Sequence, residues 1–275
     1  MVANTELQRV GLAGWRTGLA NLLRKESRAW WSWRRLLVQG LLWTVAVNGV
    51  VAFFVYMVPL IVQREGDTAA MSTDYIAVGI GILFEMGCMF LGVGSIVLAS
   101  GTIIGERQLG VTEWVLSKPV SRSAYVLSKL LGHGIGVLVV LVGLQGAIGY
   151  GLVSLKIGQP LPLLPYLVGM TGLAAHTLFY LTLTLMMGVL TANRNALLGV
   201  ALGVAIGGGV LSSTMLGRLY LWTPFALAKL SGAVVTSALS GVPLPVSIWP
   251  IIGIAAGLSV IFTTVALVRF ERLEF

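Results

Sequence analysis

GERQLGVTEWVLSKPVSR, from Gly105 to Arg122, is a polar stretch between two long apolar segments. It holds five charged residues, out of 18 basic and 10 acidic residues in the chain, whereas the segments on either side hold almost none. A soluble core has no reason to expose such a stretch. In a membrane protein, a polar interruption between two spans is a loop at the bilayer surface, where a soluble partner can bind it. We call Gly105–Arg122 the polar loop.

The composition of the whole chain is typical of an integral membrane protein. Of its 275 residues, 57% are hydrophobic and 10% are charged, and the mean hydropathy is +0.93, whereas soluble domains carry about 25% charged residues. A single cysteine, Cys88, excludes an internal disulfide. The net charge of +8 comes from basic residues near the ends of apolar segments, as orientation signals would, so we expect no nucleic-acid partner.

The hydropathy pattern predicts an all-α polytopic membrane protein with six transmembrane helices in a single transmembrane domain, residues 1–275. Each apolar segment is long enough to cross a bilayer, which takes about 20 residues. The predicted spans are Leu36–Val62, Ile76–Ile104, Ala124–Ser154, Leu163–Leu190, Asn195–Leu216 and Val246–Val268.

The distribution of Lys and Arg predicts the orientation of the spans. With a cytoplasmic N-terminus, the N-terminal arm, the polar loop and the C-terminal end all carry basic residues on the inner side. The outer side then holds only Arg64, Lys156, Arg218 and Lys229. We therefore expect a multi-pass protein of the plasma (inner) membrane with both termini in the cytoplasm.

The segment 217–245 is ambiguous. Its apolar part, Thr223–Val242, is long enough for a seventh span, but a seventh span would place the basic C-terminal end outside. Pro224, Lys229 and Pro243 favour a segment that dips into the outer leaflet and returns, which is tolerated where the backbone packs against protein. We expect an outward re-entrant segment before span six.

The N-terminal region, residues 1–35, is predicted to be a cytoplasmic amphipathic helix. Over Trp15–Leu37 the Leu and Trp residues fall on one face and most Arg residues on the other, which is typical of a helix at a membrane surface. Glu26 projects from the apolar face, where a carboxylate is costly without a partner. Either it pairs with a donor from a neighbouring segment, or the helix turns slightly and Glu26 reaches water.

The sequence predicts neither a catalytic nor a metal site. No lysine stands in a GxxxxGK[ST] motif, so the chain cannot hold ATP phosphates itself. His133 and His176 lie in different spans without further ligands. Glu85, inside span two, is costly there. It serves either as a proton relay or substrate contact, or as a protonated, hydrogen-bonded structural residue.

Within the polar loop, Val111–Ser117 is predicted to be a short helix that ends before Pro119. One face would turn to lipid or protein, with Trp114, Val115 and Leu116. The polar side chains expected to be free for a partner are Glu106, Gln108 and Glu113. The GxxxG pairs Gly101/Gly105 and Gly132/Gly136 predict close contact between spans two and three.

Two motifs resemble a known family. GER-x-x-G-x-x-E-x-x-LS-x-PVSR, followed by Lys129, is similar to the signature of membrane permeases of the type-2 (exporter) ABC transporter superfamily. LLRKE, at Leu22–Glu26, is similar to the N-terminal connecting helix of that family. The layout is also similar to that of the membrane subunit of the nitrous-oxide-reductase maturation transporter. Family members usually have threonine after the motif glycine, whereas here Val111 stands there and Thr112 follows.

The resemblance implies that the polar loop is a coupling helix, held in a groove of a separate ATP-binding cassette ATPase. Two permease chains, as a homodimer or heterodimer in membrane lipid, would bind two ATPase subunits. The ATP and Mg would be bound by those subunits, and this chain would hold no cofactor. Glu85 is a candidate residue of the substrate pathway. The residues implied in coupling are Glu106, Arg107, Gln108, Gly110, Glu113, Pro119 and Arg122, with Glu26 alongside.

Two other functions stay open from the residues alone. One is a secondary transporter driven by an ion gradient, although such carriers usually have several ionisable residues within the membrane. The other is a non-transporting scaffold that anchors a soluble complex.

Overall fold

The computed structural model describes residues 14–66, 68–211, 217–244 and 246–273, and within these ranges every regular element is helical. A 3₁₀ turn at Pro224–Ala226 precedes α11. The helices are α1 Leu19–Trp30, α2 Trp33–Glu65, α3 Thr68–Met71, α4 Tyr75–Ser100, α5 Ile104–Gln108, α6 Val111–Leu116, α7 Arg122–Ile157, α8 Leu163–Leu190, α9 Arg194–Leu211, α10 Gly217–Tyr220, α11 Leu227–Ser240 and α12 Trp249–Glu271.

Among the described residues, five helices are long and apolar enough to cross a membrane. They are α2, α4 with its continuation into α5, α7, α8 and α12, and they match predicted spans one to four and six. Predicted span five matches α9, which is shorter, and its last residues, 212–216, lie outside the described residues. Many large apolar side chains of these helices point away from the protein, which fits a multi-pass membrane protein.

Helices α4 and α8 form the centre of the bundle. α8 packs against α4, α11 and α12, and α11 packs against both α4 and α8. Small residues allow the close approach. A Cβ atom at Gly169 would lie 2.7 Å from the carbonyl oxygen of Ser231, and one at Gly232 would lie 3.3 Å from the Cα of Gly81. These contacts hold α11 against the N-terminal halves of both helices.

The turn before α11 lies beside the middle of α8. His176, midway along α8, is buried, and its Nδ1 lies 3.1 Å from the carbonyl oxygen of Pro224. Because a carbonyl oxygen only accepts, this bond places the imidazole proton on Nδ1. From Pro224 the chain runs back along α8 as far as Ser240. Within the segment 217–245, Pro245 and the side chains of residues 217 and 218 lie outside the described residues.

Helices α2 and α7 are joined by buried polar side chains. Asn48 donates from Nδ2 to Oε1 of Gln145 at 2.9 Å, and Thr44 donates from Oγ1 to the same oxygen at 3.0 Å. The helices are π-helical nearby, at Thr44–Gly49 and at Val137–Gly143. Such widened turns are frequent where a helix carries polar contacts or function.

The predicted single helix Trp15–Leu37 is wrong, because two helices occupy this region. α1 ends at Trp30, Ser32 is extended with φ −72° and ψ 132°, and α2 begins at Trp33 and continues into span one. The face of α1 that carries Leu22, Glu26 and Trp30 is buried, and α1 packs on α7. The apolar stripe therefore contacts protein. Residues 1–13 of the predicted amphipathic region lie outside the described residues.

Candidate functional site

The polar loop consists of two short helices and a turn. α5 ends at Gln108, and Gly110, with φ +67°, takes the left-handed conformation that turns the chain into α6. α6 covers Val111–Leu116, so the predicted short helix is confirmed. Ser121 then caps α7, because its Oγ accepts a hydrogen bond from the backbone N–H of Ala124 at 3.1 Å.

Four charged side chains meet where α1, the polar loop and α7 come together. Lys129 Nζ lies 2.6 Å from Glu26 Oε1 and 2.7 Å from Glu106 Oε1, and Lys25 Nζ lies 2.8 Å from Glu106 Oε1. The Lys129 side chain is 3% exposed, whereas that of Lys25 is half exposed. Tyr125 donates from its hydroxyl to Glu106 Oε2 at 2.7 Å. Two carboxylates and two ammonium groups thus balance each other where water is scarce. We call Lys25, Glu26, Glu106 and Lys129 the charge network.

The charge network decides two of the predictions. The pairing of Glu26 with a neighbouring segment is confirmed, and the alternative that its carboxylate reaches water is wrong, because Glu26 is 7% exposed and bonded to Lys129. The expectation that Glu106 is free for a partner is also wrong, because Lys25, Lys129 and Tyr125 already bind its carboxylate. Glu106 is the second residue of the polar loop, and at this position its carboxylate lies within reach of Lys129 on α7.

The glycine pair in α7 serves a contact other than the predicted one. A Cβ atom at Gly132 would lie 2.6 Å from the Cβ of Glu26, and one at Gly136 would overlap the ring of Trp30. At Gly101 and Gly105, no described atom lies within 4 Å of an added Cβ. The prediction that these pairs bring spans two and three together is therefore wrong. Gly132 and Gly136 instead let α1 approach α7 closely enough to form the charge network.

The N-terminal segment is also bonded to the end of the polar loop. Ser121 donates from Oγ to the carbonyl oxygen of Trp15 at 2.6 Å, and from its backbone N–H to the carbonyl oxygen of Thr17 at 3.1 Å. Inside the loop, the buried hydroxyl of Thr112 lies 3.1 Å from that of Tyr125. The Thr112–Tyr125 bond holds α6 against α7, and the two Ser121 bonds hold the N-terminal segment at the end of the loop.

Arg122 links the polar loop to the C-terminal helix. Its Nη1 donates to the carbonyl oxygens of Glu271 at 2.7 Å and Leu273 at 2.6 Å, at the end of α12. A guanidinium at a helix C-terminus satisfies carbonyl groups that have no partner in the helix and interacts favourably with the helix dipole. Arg122 was expected to contact a partner protein, and here it contacts its own chain.

The other side of the polar loop contacts the end of α8 and the connection between α8 and α9. Arg107 donates from Nη1 to the carbonyl oxygen of Val189 at 3.5 Å, and Gln108 donates from Nε2 to that of Ala192 at 3.3 Å. The polar loop is thus bonded to α1, α7, the α8–α9 connection and the end of α12.

The tip of the polar loop is exposed and partly apolar. Leu109 is 79% exposed and Trp114 is 66% exposed. The neighbouring side chains of Gln108 and Glu113 are exposed as well, as is Pro119. Leu109 and Trp114 form the large apolar side chains of this surface, which we call the loop tip. The prediction did not include Leu109, although an apolar residue between Gln108 and Gly110 in a polar loop was a signal for it.

Glu85 lies in a second site, a cavity of about 400 Å³. The cavity lies between α4, α8, α9 and the segment that contains α10 and α11. Glu85 is exposed on α4, and Lys229 lines the same cavity from α11. Two charged side chains with an otherwise mostly apolar lining are the usual make-up of a ligand site.

No curated protein matches the chain. The model of the family described as ABC-2 family transporter protein matches residues 20–275, which covers α1 from its second residue and every predicted span. The match includes both motifs on which the resemblance was based. The chain therefore belongs to the ABC-2 transporter family and is a membrane permease of an ABC transporter.

Proposed function

We propose that the chain is the permease subunit of an ABC exporter, and that the polar loop couples it to a separate cassette ATPase. The observation that carries this proposal is the contrast between the loop tip and its base. The tip exposes Leu109 and Trp114, whereas the base is bonded to four other segments. An exposed apolar patch at a polar surface is typical of a protein interface, and a firmly bonded base can transmit displacement of the patch.

The contacts of the loop suggest how this displacement would travel. Movement of the polar loop would pass from α5 through the Glu106–Lys129 ion pair into α7, and through Gln108 into the α8–α9 connection. ATP and Mg would bind the ATPase subunits, whose closure would bring two polar loops together. The tilting of the attached helices would then open the pathway to the outer side.

Two features support the predicted membrane topology of six spans with both termini in the cytoplasm. The α9 helix, Arg194–Leu211, has 18 residues and extends about 27 Å, close to the thickness of a bilayer core. The segment after it returns to the middle of α8 at Pro224 and runs back along one half of that helix. A re-entrant segment enters the membrane only part of the way and packs against protein there, as α11 does along half the length of its neighbours.

The exposed position of Glu85 supports a pair of permease chains. It lies ten residues into α4, about 15 Å along the helix, which is the middle of a bilayer. A carboxylate that faced lipid at this depth would be costly, so such side chains face protein or a water-filled cavity. A second copy of the chain on this face would cover Glu85 with protein, while the cavity stays within each copy beside the contact.

The test of the coupling proposal is co-purification with a cassette ATPase co-expressed with the chain. Leu109→Ala with Trp114→Ala removes the apolar part of the loop tip and leaves every bond of the base in place. Because a few aromatic and apolar residues usually carry most of the binding energy of an interface, we expect the retained ATPase to fall about tenfold or more.

Leu155→Ala with Leu164→Ala is the matched control. These two residues are 78% and 74% exposed, and they lie near the C-terminal end of α7 and the N-terminal end of α8, at the ends of these helices that are far from the polar loop. We expect this variant to retain the ATPase as the unsubstituted chain does. Full retention and full stimulation of ATP hydrolysis in the loop-tip variant would contradict the coupling role. If the unsubstituted chain retained the ATPase but the complex transported nothing, the chain would be a scaffold instead.

A further inference from the structure

The cavity beside Glu85 combines one acidic and one basic side chain with aromatic and apolar surface. Glu85 extends from α4 and Lys229 from α11, and the rings of Tyr180 and Tyr220 also line the space. A volume of about 400 Å³ lies within the range of pockets that hold small organic molecules, roughly 300–1,000 Å³. Most of the remaining lining is aliphatic, glycine or thioether surface, such as that of Met89.

Both charges lie deep in the membrane in the proposed topology. Glu85 is about 15 Å from the start of α4. Lys229 is the third residue of α11 and about 16 Å from its end at Ser240. The turn just before it contacts His176, at the middle of α8. At this depth an ionic side chain needs a partner or a water-filled space.

The two charges do not neutralise each other. Among the described residues, Glu85 takes part in no ion pair within 4.0 Å and in no hydrogen bond. The Lys229 ammonium lies 5.9 Å from the centre of the Tyr220 ring, the outer limit of a cation–π contact. The cavity thus presents a carboxylate and an ammonium group, separated from each other, to whatever occupies it.

The pair of charges selects the ligand by its own charge. A purely cationic ligand would bind Glu85 but bring a like charge near Lys229, and a purely anionic ligand would do the reverse. A ligand with both charges pairs with both side chains, and the tyrosine rings favour an ammonium group beside them. The apolar lining adds a preference for an alkyl or aromatic body.

We propose that this cavity binds an amphipathic zwitterion and, resting on the function proposed for the chain, that such compounds are its substrate class. Glu85 pairs with the ammonium group of the ligand, Lys229 pairs with its anionic group, and the apolar body lies against the aliphatic lining. The shared chemistry covers a zwitterionic membrane lipid and a smaller exported amphiphile.

The test measures protection of a cysteine placed in the cavity. Cys88, the single native cysteine, is replaced in Cys88→Ala, and Met89→Cys, at a side chain 58% exposed, then serves as the reporter. Ile206→Cys is a second reporter in the same cavity, and Leu155→Cys is the control outside it. The chain is reconstituted in nanodiscs of phosphatidylglycerol, and the rate of reaction with a small neutral methanethiosulfonate is measured.

The competitors are an alkyl sulfobetaine, an alkyl trimethylammonium and an alkyl sulfonate of the same chain length. We expect the sulfobetaine to slow the labelling of either cavity reporter about tenfold or more, the singly charged compounds much less, and labelling at 155 not at all. Glu85→Gln should weaken sulfobetaine protection about tenfold and let the sulfonate protect equally well. Lys229→Gln should also weaken sulfobetaine protection about tenfold, and it should let the trimethylammonium compound protect equally well.

Equal protection by the three compounds would overturn the proposal. So would protection that neither substitution changes, which would assign Glu85 and Lys229 to pairing between protein side chains.

Nanodiscs of phosphatidylethanolamine identify the source of the ligand. If the cavity cysteines react slowly in these nanodiscs before any competitor is added, the ligand is a membrane lipid. If they react fast, the ligand is a smaller amphiphile. Either result is consistent with the proposed site. Because no ATPase is present, failure here leaves the coupling proposal intact, and failure of coupling leaves this binding intact.

Discussion

Lys129 Nζ lies 2.6 Å from Glu26 Oε1, although 103 residues separate the two in the chain. This ion pair joins the N-terminal helix to span three, and Glu106 extends it to the polar loop at 2.7 Å from the same ammonium. The ammonium is almost completely buried, and the two carboxylates are at least four-fifths buried. The region proposed to contact an ATPase therefore depends on a buried set of charges as well as on apolar packing.

Removal of the central ammonium should destabilise the protein strongly. Lys129→Met leaves Glu26 and Glu106 close together with only the half-exposed Lys25 beside them, and breaking a buried ion pair in this way costs about 3–5 kcal/mol. Unfolding of the purified chain in mixed micelles of increasing SDS content measures the loss. Lys25→Met is the control, because half of this side chain is exposed, and we expect a loss of about 1 kcal/mol or less. Equal losses in the two variants would contradict the central role of Lys129.

The glycines of α7 should not tolerate a methyl group. In Gly136→Ala the new Cβ overlaps the buried Trp30 ring, so we expect a loss of about 1–3 kcal/mol from overpacking and faster proteolysis of α1. Gly101→Ala is the matched control, because no described atom lies within 4 Å of the added Cβ. A control variant as unstable as Gly136→Ala would show that contact with α1 is not what requires the glycine.

Arg122 should be needed to hold the end of α12. Arg122→Gln removes charge-assisted hydrogen bonds to the carbonyl oxygens of Glu271 and Leu273, which are worth about 1.5–3 kcal/mol in other proteins. We expect faster carboxypeptidase removal of the C-terminal residues in nanodiscs, and partial protection in Arg122→Lys. An unchanged cleavage rate in Arg122→Gln would show that the α12 packing alone fixes this end.

The polar contact between α2 and α7 should be measurable as a coupling energy. A double-mutant cycle of Asn48→Val and Gln145→Leu tests the hydrogen bond of 2.9 Å between these buried side chains. Interhelical hydrogen bonds in membranes couple by about 0.6 kcal/mol on average and up to about 1.7 kcal/mol, and we expect a value in this range from unfolding in mixed micelles. Additive losses from the two substitutions would mean that the bond adds nothing to stability.

The helices and the short helix of the polar loop were predictable from the sequence because they depend on local properties. Hydropathy over about 20 residues identifies a span whatever surrounds it, and Gly110 and Pro119 mark the ends of α6 within the loop. The break at Ser32 was not predictable, because the apolar residues of α1 and of the first turn of α2 follow the same helical repeat and so look like one continuous helix. The predicted end of span five, Leu216, lies outside the described residues.

The roles of individual site residues were harder to predict because they depend on contacts between distant segments. Glu26 could be recognised as needing a partner, since a carboxylate on an apolar face is costly wherever the helix lies. Its partner could not be named. Glu106 and Arg122 look in the sequence like exposed loop charges, and only the approach of α7 and α12 shows that they are bonded internally.

The sequence by itself thus determined the membrane class, the main spans, the position of the polar loop and the family, because hydropathy, charge and motifs are read along the chain. Tertiary structure decided which of several similar glycine pairs receives a neighbouring helix, which charges are buried together, and that Glu85 and Lys229 line one cavity. The physical reason is that a glycine or a charge has the same local signal in any surroundings. Its energy, and hence its role, is set by the groups that folding brings within a few ångströms of it.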